Sequence, residues 1–246
     1  MKSIRIVSLC LLLMAMAAAA DTIPAGTIIP VMLSSTIDTA HNKPGDRIVA
    51  RVMQDVPLPS GSHIPARSRV LGQVVDVNNT GAASRVIVKF DRVLIKKKEI
   101  PVVTDLRAIA SMVAVYDAQI PTNPAPDRGT SAYTWTTRQV GGDVVYRGGG
   151  PVTSGSLVVG TPANGNGVVA QLSTPDGAKC RGSIEGSADK QALWVFSSSA
   201  CGAYGFDDLK IEHAGRTAPI GKLVLQSSRK VHVPAGSGLL LRVVNP

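Results

Sequence analysis

The residues of this 246-residue chain with the chemistry to act as ligands or catalysts are few and scattered. His41, His63, His213 and His232 lie far apart with no H-x-x-x-H spacing, so the sequence supplies no ready zinc site. Asp207 and Asp208 are adjacent and would point to opposite faces of a strand, so they cannot flank one glycosidic bond. Asp143, Glu185 and Glu212 could converge only through folding. There is no G-x-S-x-G elbow to carry an α/β-hydrolase serine. "GNGVVA" (165–170) fits G-x-G-x-x-A, but a dinucleotide site needs a strand before that motif and a helix after it. Here a Pro-Gly loop precedes it and a β-branched strand follows. The sequence argues against an enzyme and asks for no cofactor and no metal.

Binding chemistry is better represented. "TWTTRQVGGDVVYRGGG" sets Trp135, Arg138, Tyr146 and Arg147 among glycines, and "HAGRTAPIG" adds His213 and Arg216 on a second loop. Aromatic and arginine side chains on Gly-rich loops suit sugar stacking and protein hot spots. The same residues would also serve as a covered core edge with solvated charges. Cys180 and Cys201 read as one disulfide in an oxidising compartment, closing a loop of about 22 residues that is worth roughly 3 kcal/mol by chain entropy.

The elements that must carry these residues read as strands. Gly, Val, Thr, Ser and Pro are abundant, and the apolar runs are short and β-branched, which favours an all-β fold. "IIPVMLS" (28–34) and "RIVARVMQ" (47–54) flank the turn "NKPGDR". "RVLGQVVDV" (69–77) precedes "RVIVKFDRVLI" (85–95), in which Val86, Val88 and Phe90 alternate with Ile87, Lys89 and Asp91 as in a half-buried strand. "KKKE" (96–99) suits a solvated hairpin tip. "LRAIASMVAV" (106–115) fits either a short helix or a strand. From Asp117 a Pro-rich stretch begins that resembles a linker. Glycine-rich connections then join short strands such as "SLVVG" and "GVVAQL", and "ALWVFS" (192–197) reads as a buried strand beside the disulfide.

Nearly the same five letters occur as "IPAGT" (23–27), "LPSGS" (58–62) and "VPAGS" (233–237). Each reads as a strand-entry turn in which Pro presets φ at the second position and Gly reverses the chain. The last copy leads into "GLLLRVV", and its likeness to the first suggests that the final strand returns to the sheet begun at Ile28. The expected organisation is therefore residues 21–116 plus 229–246 as a β-barrel, with 117–228 a linker and inserted Gly-rich β region.

Residues 1–20 read as a signal peptide. Lys2 and Arg5 precede an apolar Ile6–Met16 core too short to span a bilayer, and Ala18 and Ala20 form the cleavage pattern. Cleavage there would lower the formal charge of +9 by two. A basic exported chain can meet polyanions of the envelope, although charge also serves solubility alone. No later segment is apolar enough to cross a membrane as a helix.

The order "IPAGTIIPVML", Gly45 and "VARVMQDV", "IPARSRVLGQV", "RVIVKFDRVLI" resembles the barrel domain of the TrbI-like family of conjugal-transfer and type IV secretion systems. The resemblance covers roughly residues 23–100. It implies a β-barrel that works in the periplasm or cell envelope as a scaffold without catalytic residues. The family's membrane helix, Pro-rich stalk and inserted helical pair have no counterpart in this sequence. The expected role is non-catalytic binding or scaffolding, with an envelope protein, a glycan or a second copy of the chain as partner, and no nucleic acid. Polyanion or glycan binding, membership of a secretion assembly, and envelope hydrolysis follow as alternatives in that order.

Overall fold

The computed structural model describes residues 22–80, 83–122, 135–174, 186–212 and 221–244. The chain opens with β1 (Ile28–Leu33), β2 (Ile37–Asp38), β3 (Arg47–Val52), β4 (Val56–Pro57) and β5 (His63–Ile64). A long hairpin of β6 (Arg69–Thr80) and β7 (Ala83–Ile95) follows, then β8 (Lys98–Pro101), β9 (Thr104–Ala110) and helix α1 (Met112–Asp117). The middle of the chain forms β10 (Thr136–Arg138), β11 (Val144–Tyr146), β12 (Val152–Ser154), β13 (Leu157–Ala163), β14 (Gly167–Leu172) and β15 (Ser187–Ala192). It closes with β16 (Gly202–Tyr204), β17 (Lys210–Glu212), β18 (Leu223–Ser227), β19 (His232–Val233) and β20 (Gly238–Val243).

The fold is all-β, as the composition predicts, and its main sheet is a nearly closed barrel. Strand order is β16-β9-β20-β1-β3-β6-β7-β18-β17, with β8 also paired to β7. The two edge strands, β16 and β17, are consecutive in the chain and joined through Leu209, which is buried in the barrel core. The final strand lies antiparallel to β1, Ile29 opposite Leu241, and on its other side pairs with β9. A second sheet is a six-stranded meander, β10 to β15 in order. It spans Thr136–Ala192, while β16, β17 and β18 belong to the barrel although they lie within residues 117–228.

Four strands of the barrel are entered by one kind of turn. The Thr27 N–H donates to Pro24 O, Asp46 to Lys43 O, Ser68 to Pro65 O and Ser237 to Pro234 O. The third residue of each, Gly26, Gly45, Arg67 or Gly236, has φ between 69° and 93°. Its N–H reaches across to a neighbouring strand: Gly26 to Val243 O, Gly236 to Leu33 O, Arg67 to Val52 O and Gly45 to Val74 O. Hence β1 and β20 pin each other's entry reciprocally, and β3 and β6 do the same. The recurring pentapeptide is the sequence trace of this pinning, with one correction. In the turns at Pro24, Pro65 and Pro234, proline holds the first position, and the positive φ at the third position makes the bend. "LPSGS" differs: there Gly61 N–H donates to Leu58 O, so Pro59 holds the second position. Glycine adopts a left-handed φ freely, whereas a residue with a Cβ costs on the order of 1 kcal/mol there. Arg67 alone among the four third positions carries that cost.

Burial shows where the two sheets meet. Strands β3 and β7 alternate buried and accessible residues, so one face looks into the barrel and the other outward. Strands β1, β9 and β20 are buried on nearly every residue. Their inward side chains, among them Ile29, Val31, Ile109, Leu239 and Leu241, fill the barrel. Their outward ones, Ile28, Ala108, Ala110 and Leu240, form a second core with Val145, Val168, Trp194 and Phe196. The two alanines of β9 leave room for the second sheet to approach.

Local chemistry explains the remaining elements. "LRAIASMVAV" contains both readings in turn: β9 runs to Ala110, and the Ser111 hydroxyl then accepts the Ala114 N–H to start α1. "KKKE" is the tip of the β7–β8 hairpin. "ALWVFS" is buried but is not a strand through its length. β15 ends at Ala192, and Phe196 N–H donates to Leu193 O across a turn in which Trp194 has φ 49°. Cys201 is buried, and Cys180, its expected disulfide partner, lies outside the described residues.

The short β2–β19 ladder, Asp38 opposite His232, ties the C-terminal segment to the barrel. Asp38 accepts from the Ala40 N–H, and its Oδ2 lies 2.9 Å from His232 Nδ1 and 3.2 Å from His41 Nδ1. Burial works to raise this carboxyl, but the Ala40 N–H, His232 and His41 outweigh it and hold it below the ordinary range. A depressed carboxylate stabilises the fold fully above its unfolded value of about 3.9 and loses that contribution as pH falls through the lower folded value. Asp38→Asn should therefore lower the unfolding midpoint at pH 6, and the gap from wild type should close in the acid limb below about pH 4. Urea titrations at stepped pH measure it.

Candidate binding surfaces

Polar residues buried between the sheets are consumed by the backbone they organise. Gln54, just past β3 and only 2% exposed, works as a surrogate strand residue. Its Oε1 accepts from Trp194 N–H at 2.6 Å and Val168 N–H at 3.1 Å, and its Nε2 donates to Val168 O at 3.0 Å. Gln139, oriented as its neighbours require, donates to the Trp194 and Val195 carbonyls. The left-handed Trp194 turn is thus held from both sides, and its indole is fully buried, a gain of roughly 2–3 kcal/mol for a side chain of that size.

Arg107 joins the sheets from the barrel side. Leu240 pairs with Ala108 and Leu241 with Leu106, so Arg107 is the extra residue of a β-bulge in β9. A bulge re-aims its side chain, and here the guanidinium donates to Ala200 O at 3.0 Å, Ser173 O at 2.9 Å and Ser198 O at 3.3 Å. Burial pushes its pKa down to about 10, with Arg242 adding to the fall and Tyr204 opposing it. Arg107 therefore stays charged at neutral pH. Neither Gln54 nor Arg107 stands out as functional in the sequence; a lone arginine inside the apolar run "LRAIA" was the one available signal.

The residues singled out for binding divide between inside and outside. Arg147 is buried, its Nε donating to Thr137 Oγ1 and its Nη1 to Gly167 O, both at 3.1 Å. Burial pushes its pKa down. It braces β10 against β14 and is not presented to a ligand. Trp135 is half-buried. Arg138 and Tyr146 are exposed, and the pairing of Thr136 with Tyr146 and Arg138 with Val144 puts them on one outward face. His213 and Arg216 lie outside the described residues. Asp143 is buried and its Oδ2 accepts the Ser198 N–H at 2.7 Å, whereas Glu212 lies on β17 of the barrel, beside Arg85. The two carboxylates belong to different sheets and different neighbourhoods. Glu185 lies outside the described residues. Among the described residues no group of three or more His, Cys, Asp or Glu could hold a metal ion.

Surface relief offers two further features. A cleft of about 940 Å³ opens where the barrel's outer face meets the β13–β14 turn, with Met32, Arg51, His63, Arg67 and Asn164 on its walls. Helix α1 exposes Met112, Val113 and Tyr116, each more than half accessible, with Ile120 beside them. An apolar cluster of this kind on a water-facing surface suits contact with another molecule.

Gln54 offers a direct test of the junction. Gln54→Leu keeps the bulk but strands the Val168 and Trp194 N–H groups, so it should destabilise the protein by about 3 kcal/mol, read as a lower urea midpoint. No protein-family model matches the chain, and no curated protein matches it either.

Proposed function

We infer that this is an exported protein of the cell envelope that works by binding or scaffolding, without turnover. One observation carries the reading. The buried groups with chemical potential, Arg107, Arg147, Asp143, Gln54 and Gln139, are spent on partners inside the fold, and Gln54 and Arg107 reach across the seam between the two sheets. The water-facing features are a cationic cleft and an apolar helix face, which are recognition surfaces. The TrbI-like order of turns and strands and the N-terminal signal pattern support the same reading, since barrels of that family are envelope scaffolds. Membership of a larger assembly is the second reading, favoured by the exposed Met112, Val113 and Tyr116.

The test is the native mass of the mature protein, extracted gently from its own envelope at low and at high salt. Binding predicts a mass above that of the monomer at low salt. If the apolar helix face holds the partner, that mass survives high salt, because salt screens exposed charges and leaves apolar contacts intact. A bare monomer under both conditions would overturn the scaffolding role.

A further inference from the structure

We propose that the cleft between the barrel and the second sheet is a site for an oxyanion, a phosphate or carboxylate group carried on a molecule with a small apolar part. This deepens the binding role proposed above and rests on it. Two separate irregularities each bring one arginine, Arg51 or Arg67, to the cleft. On the outer face of the barrel, Arg51 of β3 stands directly opposite Arg69 of β6. Like charges in that relation repel each other. Next to them, Arg67 occupies the third position of a strand-entry turn at φ 69°, where the three equivalent turns carry glycine. Glycine would relieve the strain at no cost to the turn, so the side chain is what the position retains.

Two guanidinium groups converge on the cleft, with an imidazole beside them. Arg51, Arg67 and His63 all line the cleft and are exposed. Neither arginine makes an ion pair among the described residues. Asp55, the one carboxylate on the wall, accepts the Ala66 N–H and so helps hold the turn that presents Arg67. Arginine forks match the paired oxygens of phosphate and carboxylate. Met32 and Met53, half-buried on the same walls, supply a deformable apolar surface for the rest of the ligand. Asn164, from the second sheet, faces them, so the site exists only where the two sheets meet.

Calorimetric titration of the full mature chain at low salt tests this with phenyl phosphate, benzoate and neutral benzamide. Both anions should bind and benzamide should not. A tighter phenyl phosphate assigns a phosphate-bearing ligand, and a tighter benzoate a carboxylate. Arg67→Gly and Arg51→Gln should each weaken the anions about tenfold or more, while Arg67→Gly melts no earlier than wild type because its strain is gone. Anions that bind no better than benzamide would overturn the site, as would wild-type affinity in both variants. Should Arg67→Gly fail to fold, Arg51→Gln decides alone. An envelope complex that keeps its native mass in Arg67→Gly while anion binding is lost would leave the wider binding role standing apart from this site. A complex lost from wild type itself would remove the role whatever the anions do.

Discussion

Strands β1, β9 and β20 carry apolar side chains on both faces, and the rest of the molecule is arranged to cover the second face. A barrel alone would leave Ile28, Ala108, Ala110 and Leu240 against water. The six-stranded meander removes that exposure, and Trp194 and Phe196 fill the space between. Because the shared wall is itself hydrogen-bonded strand, neither sheet can shift without disturbing the other. The polar residues at the seam are therefore held to strict requirements. Each buried N–H or carbonyl left open by the irregular turns around Trp194 needs a partner, and Gln54, Gln139 and Arg107 provide them.

Much of this was legible in the sequence where a local rule governs. The alternation in "RVIVKF" places β7 half-buried, and the continuous apolar runs "IIPVML" and "GLLLRVV" suit strands buried on both faces. The kinship of "IPAGT" and "VPAGS" pointed to a C-terminal strand beside β1, and the reciprocal Gly26–Val243 and Gly236–Leu33 bonds are its physical basis. The seam itself was not legible. "ALWVFS" has the composition of a strand, but two glutamines far away in sequence bend it into a turn. Arg147 sits among glycines and reads as a surface group, yet long-range packing turns it inward to Gly167 O. Arg67 hides in "IPARS", and only the comparison of turn geometry separates it from its glycine equivalents.

Charge is distributed by role. Arg107 and Arg147 are inside, each held by backbone carbonyls or a hydroxyl. Arg51, Arg67 and Arg138 are outside, where water solvates them.

The shared wall is tested most directly by unfolding a Trp135→Phe variant in urea, which leaves Trp194 as the sole tryptophan. Its fluorescence reports the seam, and far-UV circular dichroism reports the strands. Coincident transitions are predicted, because the barrel and the meander share three strands' worth of core. A Trp194 transition at clearly lower urea, with the strand signal intact, would mean that the second sheet detaches from a barrel stable without it, and would contradict the account.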